Sequence, residues 1–424
     1  MNFLKGSRNE FEKLKDGGSW EDKADIVQRQ MAEVFGAKNL SFLMGSGCSS
    51  LRRDGEELGI PTMKFLAEEF KEEIANPSDG KPIFVTEAQK AEIHKKLGID
   101  LSADGISGNL EQMMAVLMNA HQFCSTSDNS ELNSAADLVD EIIIGIKDFI
   151  LRKCTIGAFS SGDESVVTRY RRFYQSLATR SRGLAPPWVF TLNYDLFNER
   201  AMDRSGIPYS NGFSGTIERR FNPATYRLAL AEQLDITSRR WAAVDGFVHF
   251  CKLHGSVNWT EEKSGLFPIR ESHEPLDPSE QRVMIYPTPS KQTASFGSPY
   301  SDMFREFQKQ VVQDQSVLVT MGFSFGDEHV NNIIFQGLTL PSFKLIAFMN
   351  PETNDITREL ATLGDPRIWF IWGEGKDAGE NAHYFDSVVT HLLPTRADQK
   401  IDQTIEKALQ ALFTRHQDNE NGEG

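Results

Sequence analysis

Short, continuous apolar runs punctuate this chain, and most of them end in a small or polar motif. Leu40–Met44, Trp188–Leu192, Val248–Leu253, Val283–Tyr286, Ser316–Met321, Lys344–Met349 and Ile368–Trp372 are of this kind. Runs without polar alternation suit strands buried on both faces, which is the situation in a parallel sheet covered by helices. Ser301–Gln313 and Val330–Leu338 carry helical periodicity between such runs. The expected fold class is therefore α/β: a doubly wound, mainly parallel Rossmann-like sheet of about six strands with an inserted helical subdomain.

The insertion falls between the first two runs. Residues 63–185 hold little strand signal, whereas Met63–Ile74, Asn109–Phe123, Ala136–Leu151 and Glu164–Leu177 have helical periodicity. The polar stretches 76–82, 124–134 and 158–163 read as loops. Four parts follow: an N-terminal helical segment (1–38), a Rossmann-type domain (39–62 and 186–395), a helical subdomain (63–185), and a C-terminal helix with a tail (396–424). In the first, Ser19 and Asp22 form a capping box ahead of an apolar face of Ala24, Val27, Met31, Val34 and Phe35. In the last, Ile401, Ile405, Ala408, Leu409 and Leu412 share a face. The polar regions 210–245 and 258–280 read as surface insertions.

Composition narrows the function classes. The 424 residues hold 45 Lys plus Arg against 60 Asp plus Glu, a net charge of -15. Such a field does not attract nucleic acid, so DNA would have to meet a local patch such as Arg219-Arg220 or Arg239-Arg240, or be met indirectly. No apolar run reaches the roughly 18 residues that cross a bilayer, and Met1–Lys15 lacks the apolar region of a secretory leader. Cys48, Cys124, Cys154 and Cys251 are too dispersed for a C-x-x-C pair. A reducing, cytoplasmic setting with neither a disulfide framework nor a cysteine-built zinc site is expected.

The chemistry concentrates at the strand ends, where a doubly wound sheet places its ligand. Gly45-Ser46-Gly47-Cys48-Ser49 can turn sharply and bring backbone N–H groups to a phosphate, or can be an ordinary strand–helix turn. A plain dinucleotide-dependent dehydrogenase is disfavoured: Ser50 stands where a third glycine belongs, and the region about 20 residues on reads as helix, not as a strand ending in an acid. Thr191-Leu192-Asn193-Tyr194-Asp195 offers an amide and a carboxylate just past a strand, for ligand binding or for capping the helix that follows. His254 in Lys252-Leu253-His254-Gly255-Ser256 is placed as a general base, whereas His249 reads as a packed or capping side chain. Gly322 and Ser324 in Gly322-Phe323-Ser324-Phe325-Gly326-Asp327 suit a second phosphate or ribose contact. Asp327 and His329 lack the further ligand a metal would need. Asn350 ends another run, with turn formation before Pro351 as the alternative role.

Taken in order, G-S-G-C-S, T-L-N-Y-D, L-H-G-S, G-F-S-F-G-D and F-M-N resemble the sirtuin-like NAD-binding family, in the broad subgroup found in bacterial anti-phage defence. The resemblance spans about residues 39–375. It implies that Gly45, Ser46, Gly47 and Ser49 form the pyrophosphate loop and that Asn193 and His254 are catalytic. It also implies that Asp195 holds the nicotinamide carboxamide, with Thr191, Gly322, Ser324 and Asn350 among the cofactor contacts. The four-cysteine zinc module of the deacetylases in that family is missing, and Gly59-Ile60-Pro61-Thr62-Met63 stands where their Asp-Phe-Arg run belongs. Protein deacetylation is thus disfavoured and no zinc is expected, while cleavage of NAD+ to nicotinamide and ADP-ribose is left intact. The resemblance further implies NAD+ depletion in defence, gated by a partner or a phage signal, with a homo-oligomer and a HerA-type hexameric ATPase as partners. The competing expectations are an NAD+ or ADP-ribose sensor that regulates an ATPase complex, and a nuclease subunit of one.

Overall fold

The computed structural model describes residues 1–395, except 15–16, 76–82, 182, 236–239, 245, 263–267, 274–281, 285–298 and 378. In chain order the principal elements are β1 (Asn2–Lys5), α1 (Trp20–Phe35), β2 (Asn39–Met44), α2 (Met63–Ala75), α3 (Glu87–Leu97), α4 (Leu110–Ser125), α5 (Ser130–Thr155) and α6 (Ser165–Leu177). They continue with β3 (Trp188–Thr191), α7 (Phe197–Arg204), β4 (Val248–Lys252), β5 (Gly255–Glu261), α8 (Tyr300–Val311), β6 (Ser316–Met321), α9 (Glu328–Leu338), β7 (Lys344–Phe348), α10 (Asp355–Thr362) and β8 (Ile368–Trp372).

The main sheet has nine strands, ordered Arg8–Asn9, β1, β8, β7, β6, β2, β3, β4, Tyr209–Ser210. Pairing is parallel from β8 through to Tyr209–Ser210. From the middle, β2, β3 and β4 step one way and β6, β7 and β8 the other, so the order reverses between β2 and β6. This is the Rossmann-like α/β fold expected, with its switch point at the centre. Pleating divides the side chains between two cores. Phe42, Val189 and Phe250 face α1, α6 and the helical module, while Leu43, Phe190 and Cys251 face α8, α9 and α10.

Residues 1–38 are not only helical. α1 starts from the expected Ser19/Asp22 capping box, but β1 adds to the sheet edge antiparallel to β8, Phe3 opposite Ile371. The regions 210–245 and 258–280 are also more than insertions. A five-stranded antiparallel sheet runs Arg282–Met284, β5, Ile269–Glu271, Arg219–Phe221, Phe213–Ser214. It takes in the described part of Val283–Tyr286, which therefore does not join the main sheet. Across it, Arg219 pairs with Glu271 at 2.6 Å and Arg220 with Glu262 at 2.7 Å, so the charge of both arginines is engaged. Arg239 and the apolar face Ile401–Leu412 lie outside the described residues, as does the expected loop 76–82.

The four helices read in 63–185 are all present, with α3 in addition. α5 begins at Ser130, capped by Asn129, inside the stretch 124–134 read as loop. In α5, Gly145 lets the Phe84 backbone approach so closely that an added Cβ would collide with the Phe84 carbonyl oxygen. The approach seats the Phe84 ring 5.3 Å from that of Phe149. Gly145→Ala is expected to destabilise by about 1–3 kcal/mol through forced separation, measured as a lower urea midpoint at unchanged slope.

No helix among the described residues is long and apolar enough to cross a membrane.

Candidate active site

The loops after β2 and β6 meet at the switch point. Gly45 N–H donates to the Met321 carbonyl at 3.0 Å and Gly47 N–H to the Gly322 carbonyl at 3.0 Å. Glycine is required here by contact between the two loops. A Cβ on Gly47 would lie 2.9 Å from Gly322 Cα, and one on Gly322, where φ is +60°, would lie 2.5 Å from Cys48 N. Cys48 and Ser49 donate back to Gly45 and Ser46 in a short 3-10 turn. The amides of Gly45, Gly47, Cys48 and Ser49 are thus all engaged within the protein. The cradle of free N–H groups expected from the sequence is not formed by these four; the Ser49 hydroxyl is engaged as well, and the exposed Ser46 carries the loop's polar contribution.

A cleft of about 440 Å³ opens over this junction, within the size range of small-molecule sites. Gly45, Ser46, Gly322, Ser324 and Gly326 form one small-residue wall, and Ile60, Pro61, Leu66 and Ile150 an apolar one. Ser49, Asn193, Asp195, His254 and Asp327 supply further polar groups, and Lys64, Asn109 and Tyr194 also line the cleft. α2 and α5 of the helical module thus complete the site.

Three expected contacts are absent from this wall. Gly47 is turned toward Gly322. Thr191 is fully buried; its hydroxyl donates to the Met44 carbonyl at 3.2 Å and accepts from Asn193 N–H at 3.1 Å. Its place in the fold is to set Asn193. Asn350 caps the turn Pro351–Thr353, its side-chain oxygen accepting from Glu352 N–H at 3.0 Å.

Asn193 and Asp195 converge on Ser49. Asn193 Nδ2 donates to Ser49 Oγ at 2.8 Å and to the Gly45 carbonyl at 2.9 Å. Ser49 Oγ donates to Asp195 Oδ2 at 2.7 Å, and the other Asp195 oxygen accepts from Phe197 N–H at 3.0 Å. A serine hydroxyl has one hydrogen. With that hydrogen on Asp195, the Tyr170 phenol 2.9 Å away donates to Ser49. Burial, reinforced by the Asp195 charge, pushes the phenol far above its ordinary value and keeps it a donor. Tyr170 was not anticipated: on the amphipathic α6 it reads as core, and only its distant partner gives the hydroxyl a role. Tyr170→Phe leaves Ser49 short of a donor and is expected to cost about 1 kcal/mol, measured by urea unfolding.

On the other side, His254 Nε2 lies 3.2 Å from Asp327 Oδ2. Asp327 Oδ1 accepts from Val330 N–H at 3.1 Å and caps α9, which fixes the carboxylate. A carboxylate held against an imidazole fixes the ring's orientation. His249 is the packed side chain the sequence indicated: it stacks on Trp188 at 4.4 Å, and burial, with Lys309 adding, lowers it to about 4.

Beneath the site, Lys252 is buried at the end of β4. Its Nζ donates to the carbonyls of Tyr194, at 3.2 Å, and Asp195, and pairs with Glu199 at 3.0 Å. Burial pushes Glu199 up to about 7, with Lys252 pulling the other way. Among the described residues, no group of three or more His, Cys, Asp or Glu is placed to hold a metal ion.

The cleft lies at the switch point, where doubly wound α/β folds place a nucleotide, and holds one small-residue wall, an amide–carboxylate pair and a histidine beside a carboxylate. Residues 187–369 match the family model of the SIR2-like domain, which supports a sirtuin-like family for this chain. SIR2-like domains bind NAD+ and are in general NAD-dependent enzymes. The match covers Asn193, Asp195, His254, Gly322, Ser324 and Asn350, and begins after the 45–49 loop. No curated protein matches the chain.

Proposed function

We propose that the chain is an NAD+ hydrolase that releases nicotinamide and leaves ADP-ribose. The observation that carries this reading is the meeting of Asn193, Asp195 and His254 in one cleft. The small-residue wall suits the pyrophosphate and the apolar wall suits a flat ring. Asp195, with lone pairs beyond the two hydrogen bonds it accepts, takes the nicotinamide carboxamide. Cleavage of the glycosidic bond passes through an oxocarbenium-like state. Asn193 positions the attacking water or a ribose hydroxyl, and His254, oriented by Asp327, accepts the proton.

The Ser49 hydroxyl already joins Asn193 to Asp195, and with the Gly45 carbonyl it engages both Nδ2 hydrogens of Asn193 before substrate arrives. We take this as support for gating, which a cell needs if it is to survive such an activity. NAD+ depletion in anti-phage defence, a homo-oligomer and a HerA-type ATPase partner complete the proposal. The second reading is a sensor of NAD+ or ADP-ribose, which the closed Ser49–Asn193–Asp195 network favours. Chromatography of NAD+ incubated with the purified protein, alone and with a HerA-type ATPase and DNA, decides between them. Nicotinamide and ADP-ribose in equal amounts are expected. Tight NAD+ binding without product under every condition would leave the sensor.

A further inference from the structure

A second cavity, of about 380 Å³, shares no lining residue with the cleft. It lies where the first turns of α6 meet Arg53 and Asp386. Arg169 and Arg172, three apart on α6, face into it, with Thr168 beside them. Arg169 is only 4% exposed. Its Nη2 donates to the Ser50 carbonyl at 3.1 Å, while its Nε is buried with no hydrogen-bond partner among the described residues. Burial holds this guanidinium below its ordinary value, with Asp386 offsetting part of the cost. Arg172 gives one hydrogen bond, to Thr390 Oγ1 at 3.0 Å, and Arg53 stands exposed at the rim.

Among the lining residues the acids do not balance the arginines. Glu164 is engaged by Arg204 at 2.8 Å, which leaves Asp386 in the lining, with Glu57 acting on Arg169 and Glu380 on Arg53 from outside it. A protein of net charge -15 has no compositional reason to gather arginines around a cavity. Guanidinium forks match phosphate oxygens in geometry as well as charge, and the Thr168 hydroxyl adds a donor.

We propose that this cavity binds the phosphoryl group of a small phosphorylated metabolite and that its occupancy acts on the cleft through Ser49 and Ser50. The connection is short. Arg169 holds the Ser50 carbonyl, and its neighbour Tyr170 holds Ser49 Oγ, which in turn holds Asp195. An anion that reorients Arg169 therefore bears on the segment that joins Asn193 to Asp195. The coupling rests on the function proposed above; the anion site does not.

Isothermal titration of the full chain at fixed ionic strength tests both. The probes are inorganic phosphate and AMP, and the comparison is wild type against Arg53→Gln/Arg172→Gln, both exposed positions. Binding to wild type, weakened about tenfold or more in the double variant, is expected. Phosphate alone binding marks the free ion as ligand, and tighter AMP binding marks a nucleotide. No binding to wild type, or equal binding to both proteins, would overturn the site. ADP-ribose is then titrated with and without saturating phosphate. A change of about fivefold in wild type that the double variant lacks is expected, and affinities identical under all conditions would overturn the coupling. Failure of ADP-ribose to bind either protein would count against the function proposed for the cleft, while the phosphate titration would still decide the anion site.

Discussion

His254→Ala is expected to lower nicotinamide release from NAD+ by roughly 10²–10⁴-fold, the range over which a positioned general base contributes. The effect should fall on kcat, because in the proposed reaction the imidazole acts on a proton that moves in the transition state, while the small-residue wall is left unchanged to bind the dinucleotide. Asp327→Asn should show a smaller loss, since it keeps the shape and the cap of α9 but removes the charge that lies 3.2 Å from His254 Nε2. The measurement is initial rate by chromatography, beside circular dichroism to confirm folding and ADP-ribose titration to confirm an intact cleft. Turnover by the alanine variant at the wild-type rate would remove His254 from the mechanism.

The second large effect is on stability. Above about pH 7, Lys252→Met should destabilise by roughly 3–5 kcal/mol, because it leaves Glu199 buried without its cation where the carboxyl would otherwise be charged. It also takes a donor from the carbonyls of Tyr194 and Asp195. Lys252→Met/Glu199→Gln should recover much of the stability but not the loop geometry, so affinity for ADP-ribose should stay reduced. The pH dependence has a definite sign. Burial raises the folded Glu199 carboxyl to about 7, above its ordinary value of 4.5. Folding then favours the protonated form, and stability falls as pH rises from about 4.5 to about 7. Glu199→Gln should flatten that slope in urea titrations at pH 4.5, 6 and 7.5. An unchanged slope would mean that Glu199 does not titrate in this window.

The parallel strands were legible because each is buried on both faces and so reads as an apolar run, and their ends pointed to Asn193, Asp195 and His254. What escaped was whatever depends on a distant partner. Asn2–Lys5 has too little apolar pattern to announce a strand and becomes one by lying against Ile368–Trp372. The second sheet was hidden because Arg219, Arg220, Glu262 and Glu271 read as solvated surface, when in fact they neutralise each other across strands. Gly47 and Thr191 were placed in the right neighbourhood with the wrong contact: one faces the Gly322 loop and the other Met44. Asp327 was seen beginning a helix, but its pairing with His254 needs the fold.

The reversal of strand order at the centre of the sheet has a consequence for how the protein is made. β2 lies between β3 and β6, and β6 is synthesised some 275 residues after it, the separation of the Asn39–Asp314 hydrogen bond. At ribosomal speeds that interval is on the order of 10–60 s. The Gly45 loop waits through it without the Gly322 loop it packs against, and His254 waits a shorter time for Asp327. The nascent chain therefore carries no assembled centre until the Gly322 loop and Asp327 have been made. A protein whose proposed activity endangers the cell that makes it thus reaches competence late, by the topology of its sheet.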